Sequence, residues 1–157
     1  MNGLIASITL MGPPRGKGRP RTRVVGNFAT IFTDKKTRNY ESDLKQAGIV
    51  AMQGRSATDE ALSVVVRAFM PVPESWSRKK REAALAGDLM PTSGIDLDNI
   101  VKMLDGLNYH EPAFKGDRIK VPIIWKNDSQ IVSLQAIKVY SDRPRLVIDV
   151  WRWDHAV

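Results

Sequence analysis

Between Gly94 and Leu107 the chain changes its period, and that change constrains most of what surrounds it. Asp96 and Asp98 lie one residue apart, so an extended backbone puts both carboxylates on one side. From Asp98 onward the spacing turns helical. At about 100° per residue, Asp98, Lys102 and Asp105 share one stripe, and Ile100, Leu104 and Leu107 share the opposite one. The segment therefore buries one side and holds acid, base and acid together on the other. Two readings compete for it. Paired carboxylates suit Mg²⁺, which takes one or two of them with waters and substrate phosphate. Lys102, one turn on, would then neutralise a phosphate oxygen or orient a water. The plainer reading makes Asp98 a helix N-cap and leaves Lys102 and Asp105 on a solvated face.

The flanking patterns supply a core for that buried side. Residues 4–11 alternate as a strand with Leu4, Ala6, Ile8 and Leu10 inward, and Asn27–Phe32 reads as a short strand. Asp34 is a candidate cap for a helix over 36–53, striped by Tyr40, Leu44, Ala47 and Ala51 and stopped at Gly54. Tyr40, a possible base-stacking ring, reads as core because it opens that stripe. A strand over 62–70 closes at Pro71 and Pro73, and a helix capped by Ser75 or Ser77 runs to Gly87. After a loop over 88–94 come the helix at 98–107, a loop over 108–118 and a strand at 119–125. Asn127-Asp128-Ser129 is a turn triplet, and strands at 130–140 and 145–153 finish the chain. In the turn, the residues alone favour an Asp128 that bonds its own backbone. The expected fold is one α/β (α+β) domain over 1–157, with a mixed sheet of four or five strands and helices mainly on one face.

Charge is distributed unevenly. Residues 15–38 carry eight bases and one acid, Asp34, so this stretch alone nets +7 and the remainder sums to zero. Within it Arg15, Lys17, Arg19, Arg21 and Arg23 alternate with Gly16, Gly18, Pro20 and Thr22. In an extended chain such cations project every ~6.6 Å, close to the phosphate spacing along an extended nucleic-acid strand. A basic segment on a neutral body points to a polyanion bound at one place. The alternative is a basic loop with no fixed partner. The run Arg78–Arg81 is a weaker second candidate, since helices commonly expose such charge.

Several classes are excluded. No apolar run approaches the roughly 18 residues of a membrane span, and residues 1–14 lack a signal-peptide pattern. There is no cysteine, hence no disulfide framework or thiolate zinc site, and an intracellular, cytoplasmic location is the simplest expectation. Neither phosphate-binding glycine motif nor nucleophile elbow is present, and nothing near His110 or His155 suggests a ligand set. Carboxylates and a lysine on a chain with a basic strip suit phosphodiester cleavage. A metal held by the acids activates water and offsets their repulsion of phosphate.

The string Ser93–Leu107, Ser-Gly-Ile-Asp-Leu-Asp-Asn-Ile-Val-Lys-Met-Leu-Asp-Gly-Leu, closely resembles the D-x-D-N-x-x-K-x-x-x-D-x-L signature of RusA-type Holliday junction resolvases. Pro73–Gly87 resembles the helix preceding that signature, Lys17-Gly18-Arg19-Pro20-Arg21 the basic N-terminal motif, and Asp128–Val132 the D-x-Q-V segment. The resemblance implies a Mg²⁺ site at Asp96, Asp98 and Asp128, with Mn²⁺ as the alternative ion, and a lysine needed for cleavage at Lys102. It reverses the reading of Asp128 as a turn residue only. It further implies a homodimer nicking opposed strands of four-way junction DNA, often of phage or prophage origin. Arg15, Lys17, Arg19, Arg21 and Arg23 are then expected to grip the backbone.

Two positions depart from the pattern. Asn127 stands where many members carry a second acid, and the loop from Asp105 to Asp128 is longer than usual. That loop holds His110, Glu111, Lys115, Asp117 and Arg118 and is expected to bulge outward so that Asp128 reaches Asp96 and Asp98; Glu111 or Asp117 as a replacement ligand is the disfavoured alternative. The rival functions are a branched-DNA-binding protein without nuclease activity and a nuclease acting on forks or flaps.

Overall fold

A computed structural model describes residues 3–18, 21–110 and 120–154. Its elements run β1 (Leu4–Met11), β2 (Arg21–Val25), β3 (Phe28–Phe32), α1 (Lys35–Met52), β4 (Leu62–Pro71), α2 (Arg78–Leu85) and α3 (Leu97–Val101). A 3₁₀ segment over Lys102–Leu107 follows, then β5 (Tyr109–His110), β6 (Val121–Pro122), a 3₁₀ turn at Asp128–Gln130, β7 (Ile131–Ser141) and β8 (Arg145–Arg152).

Four strands form the sheet that carries everything else, in the order β1-β8-β4-β7. β8 runs antiparallel to both β1 and β4, whereas β4 and β7 are parallel. The sheet is therefore mixed. Parallel pairing needs a crossover, and the chain between β4 and β7 supplies it with α2 and α3. Strand alternation sends Ala6, Ile8, Leu62, Val64, Val66, Leu146, Ile148 and Val150 to one face, all buried. Against it pack Tyr40, Leu44 and Met52 of α1 and Ile100, Met103, Leu104 and Leu107 of the acidic segment. The opposite face carries the Arg67–Asp149 ion pair, and the Arg145 guanidinium lies 3.8 Å from the centre of the Phe69 ring.

The α+β fold, the mixed four-stranded sheet and the helices on one face agree with the sequence expectation. Asp34 caps α1, accepting from the Thr37 amide at 3.0 Å and its hydroxyl at 2.7 Å, and these bonds hold its carboxyl below the usual range. Ser77 rather than Ser75 caps α2. Three boundaries are corrected. α1 closes at Gln53, which takes the left-handed conformation with φ 49 ahead of Gly54. The helix expected over 98–107 is a short α3 that tightens into 3₁₀ geometry at Lys102. The strand expected over 119–125 shrinks to the two-residue β6, because Ile123, Ile124 and Trp125 leave the ladder and enter the core. Pro20 and the loop residues Glu111, Lys115, Asp117 and Arg118 lie outside the described residues, as does His155. Among the described residues no helix is long and apolar enough to cross a membrane.

Candidate active site

The site is built where the basic loop meets the start of α3. A Cβ on Gly16 would lie 2.6 Å from Ile95 Cγ2 and 2.9 Å from Asn99 Cβ, so only glycine allows this approach. The Lys17 amide then donates to the Asn99 carbonyl at 2.8 Å. From the sheet, Lys138 Nζ donates to the Ile95 carbonyl at 2.8 Å. The acidic turn is thus held from both sides.

Asp96 occupies the N-cap position of α3 with extended backbone (φ −66, ψ 137), yet its carboxylate makes no capping bond. Asp98 lies in the first turn and does not cap. Asp98 is therefore not the cap of the plainer reading, since neither acid spends its oxygens on the helix end, whereas Lys102 and Asp105 do stand on an exposed face as that reading has it. Lys102 Nζ reaches back to Asp98 Oδ2 at 3.4 Å and Asn99 Oδ1 at 3.3 Å. Asp96, Asp98, Lys102 and Asp105 line one cavity of about 400 Å³ together with Lys17 and Gly18.

Lys17 departs most from its expected place. Instead of projecting outward with its neighbours, it turns inward to Asp105 (3.1 Å) and Glu41 (3.3 Å). Desolvation works against its charge, but the hydrogen bond to Asp105 and the charges of Glu41 and Asp105 outweigh it, and its pKa rises above the ordinary lysine value. The five-cation strip is therefore divided. Arg15 is exposed on the loop, Lys17 belongs to the acids, and Arg21 and Arg23 stand on β2; Arg19 lies outside the described residues.

Beneath Lys17 lies a second cavity of about 280 Å³, lined by Glu41, Asp105, Asp128, Lys45 and Tyr109. Lys45 and Lys120 flank the Tyr109 ring at 5.2 and 4.4 Å from its centre. Asp128 does not bond its own turn. Asn127 does so instead, accepting from the Ser129 amide at 2.9 Å, while Gln130 Oε1 accepts the Asn127 amide at 2.8 Å. Asp128 Oδ1 accepts from the buried Trp125 indole at 2.8 Å, and Oδ2 has no partner among the described residues. The departure at Asn127 thus has a structural use, because its amide caps the turn that presents Asp128.

The structure brings Asp96, Asp98 and Lys102 to one cavity and Asp128 to the adjoining one, with Lys17 and Asp105 in both walls. Among the described residues no three acid or histidine side chains converge closely enough to hold a cation alone. Two carboxylates on one cavity, Asp96 uncapped and Asp98 held by an exposed ion pair to Lys102, still fit a hard divalent ion, which completes its shell with water and substrate phosphate. Another cavity, about 450 Å³, lies elsewhere between the end of α1 and residues 121–123, and no carboxylate among the described residues lines it.

The family Endodeoxyribonuclease RusA matches this chain over residues 11–151. The chain belongs to the RusA endodeoxyribonuclease family. The match takes in every element described from β2 to β7, and runs from the last residue of β1 to the penultimate residue of β8. A relative, the uncharacterized protein YqaN of Bacillus subtilis (strain 168), is 32% identical over 145 residues, covering 89% of this chain and 91% of its own. RusA membership carries endodeoxyribonuclease activity on branched DNA junctions, so this RusA chain is a nuclease of the Holliday-junction-resolving class.

Sequence reasoning missed Glu41. A signal was present, because Glu41 falls four residues after Thr37 and three before Leu44, inside the buried stripe of α1. A carboxylate in an apolar stripe requires a cation, and Lys17 provides it.

Proposed function

We propose that this RusA enzyme cleaves four-way junctions in a divalent-metal-dependent reaction, Mg²⁺ or Mn²⁺, with Asp96 and Asp98 as ligands in one cavity and Asp128, on the wall of the adjoining one, joining them as the third when the ion binds. The observation that carries this reading is that the Asp96 and Asp98 carboxylates, neither of them spent on capping, open on one cavity beside Lys102, which pairs with Asp98. A bound divalent ion there would activate a water and screen charge on the phosphate. Lys102, held back by Asp98 and Asn99, offers a positive charge at a non-bridging oxygen or orients the attacking water. Lys17 offsets the charge of Glu41 and Asp105, which lessens the repulsion an incoming phosphate meets. Trp125 fixes the direction of Asp128, as groups behind a metal ligand commonly do. Arg15, Arg19, Arg21 and Arg23 contact the backbone, and two copies related by a two-fold axis nick opposed strands.

The test is cleavage of a labelled four-way junction beside a linear duplex of the same sequence, with Mg²⁺ and with EDTA. Paired symmetric nicks on the junction alone, and with Mg²⁺ alone, are expected. Asp96→Asn should bind the junction as wild type does and cut it more than about a hundredfold more slowly. Normal cutting by that variant would show that the site is wrongly assigned. Tight junction binding by wild type without any cut would favour a binding protein.

A further inference from the structure

We propose that the β2–β3 hairpin is a base-stacking wedge whose Phe28 enters between unstacked bases at the branch point of the DNA. The inference rests on the branched-DNA reading above and adds the group that would recognise the branch. Among the described residues β2 and β3 pair only with each other, from Arg21–Phe32 to Val25–Phe28. Gly26, at φ 62, opens the two-residue turn, a conformation that suits tight hairpins. Phe28 beside that turn is 79% exposed, and Val24 and Ile31 on the other face are 70% and 72% exposed. An isolated two-stranded hairpin is marginal in water, and solvating its largest apolar side chains gives it no added stability. It is built to meet something.

The partner's chemistry is written on one face. Alternation puts Arg21, Arg23 and Val25 on the same side of β2, and Phe28 is the direct partner of Val25. Cations at the root and an aromatic ring at the tip match an anionic backbone that offers base faces. An intact duplex hides those faces, whereas a branch point exposes them, and apolar wedges at opened steps are an established means of gripping bent DNA. A second copy of the chain fits less well. A two-fold contact through this face would set Arg21 and Arg23 against their own counterparts. The hairpin is also tied to the active site, since it begins a few residues after Lys17 and runs through Asp34 into α1, which carries Glu41.

The experiment compares wild type, Phe28→Ala and Phe28→Trp in EDTA, so that the DNA stays intact. Affinity is measured for a four-way junction and for a duplex, with 2-aminopurine beside the crossover and oligomeric state followed by sedimentation. Phe28→Ala should lose about tenfold in junction affinity with duplex affinity unchanged. The emission rise on wild-type binding should vanish, and Phe28→Trp should restore both. Equal junction affinity and equal emission for wild type and Phe28→Ala would overturn the wedge while leaving the nuclease reading intact. A Phe28→Ala protein that changes oligomeric state would overturn it in favour of a contact between copies. A wild type with no preference for junctions would overturn the branched-DNA reading, and this inference with it.

Discussion

At the scale of single residues, one lysine decides how the site is charged. Lys17 belongs by sequence to the basic strip, yet in space it joins Glu41 and Asp105. Its raised pKa has a consequence for stability. A base whose folded pKa lies above its unfolded value contributes fully below the unfolded pKa, 10.5 here. That contribution is lost as pH rises through the higher folded value. Wild type should therefore melt above Lys17→Met by a constant margin from neutral pH to about pH 10, narrowing beyond 10.5. Because Lys17 is about one-third exposed, the margin should be modest, about 1 kcal/mol. A thermal scan across pH checks it, and a margin unchanged above 11 would remove the ion pairs as its source. Tyr40, a weak acid, is another group of this region whose pKa is shifted. Burial pushes its hydroxyl up to about 12, against the opposing influence of the nearby Arg15. Its Oη is buried and makes no hydrogen bond among the described residues, in keeping with a ring that belongs to the core and not to a stacking platform.

At the scale of elements, the loop carrying Lys17 is held by contact with α3 and not by regular structure. The Gly16 approach to Ile95 and Asn99 is that contact. In Gly16→Ala the added methyl must push the loop off the acidic turn or distort the turn, costing about 1–3 kcal/mol. Cleavage should fall with it, because Lys17, Asp96 and Asp98 lose their common anchor. The readouts are a denaturation midpoint and the junction-cutting rate; a variant as stable and active as wild type would show the contact to be slack. Legibility in the sequence follows the same division. The strands at 4–11 and 62–71 and the helix beginning at Lys35 were readable because period and caps agree locally. The expected strand at 119–125 failed because an apolar run has one spelling for a ladder and for a core loop. β2 was read as an extended basic strip and not as half of a hairpin, although Gly26-Asn27 between Val25 and Phe28 carried that signal. At the candidate site, the gathering of Asp96, Asp98 and Lys102 on one cavity was legible from spacing, and Asp128 is singled out only by the resemblance. Glu41 carries a spacing signal in the α1 stripe, but its pairing with Lys17, like the reach of Trp125 to Asp128, comes from tertiary packing, which spacing along the chain does not encode.

At the scale of the whole molecule, the charge map and the fold meet at one edge of the site. The sequence places its entire net charge of +7 in residues 15–38. The structure divides those cations between the acidic cavity, where Lys17 is spent internally, and the exposed hairpin and helix start. The long-range attraction for DNA should therefore come from Arg15, Arg21 and Arg23 and not from Lys17. Each phosphate contact contributes about −0.9 to the slope of log affinity against log salt on duplex DNA. Arg21→Gln with Arg23→Gln should thus flatten the junction-binding slope by about 2, weakening binding most at low salt. Arg78→Gln with Lys79→Gln removes the same charge from α2, whose exposed run was the weaker candidate for a phosphate contact. That pair should leave the slope unchanged, although net charge alone predicts equal effects for the two double variants. Binding titrations of both from about 50 to 200 mM salt separate the cases. A flattened slope for the hairpin pair alone makes the +7 a local grip, whereas equal flattening makes it a diffuse field and removes the hairpin's special claim on the backbone.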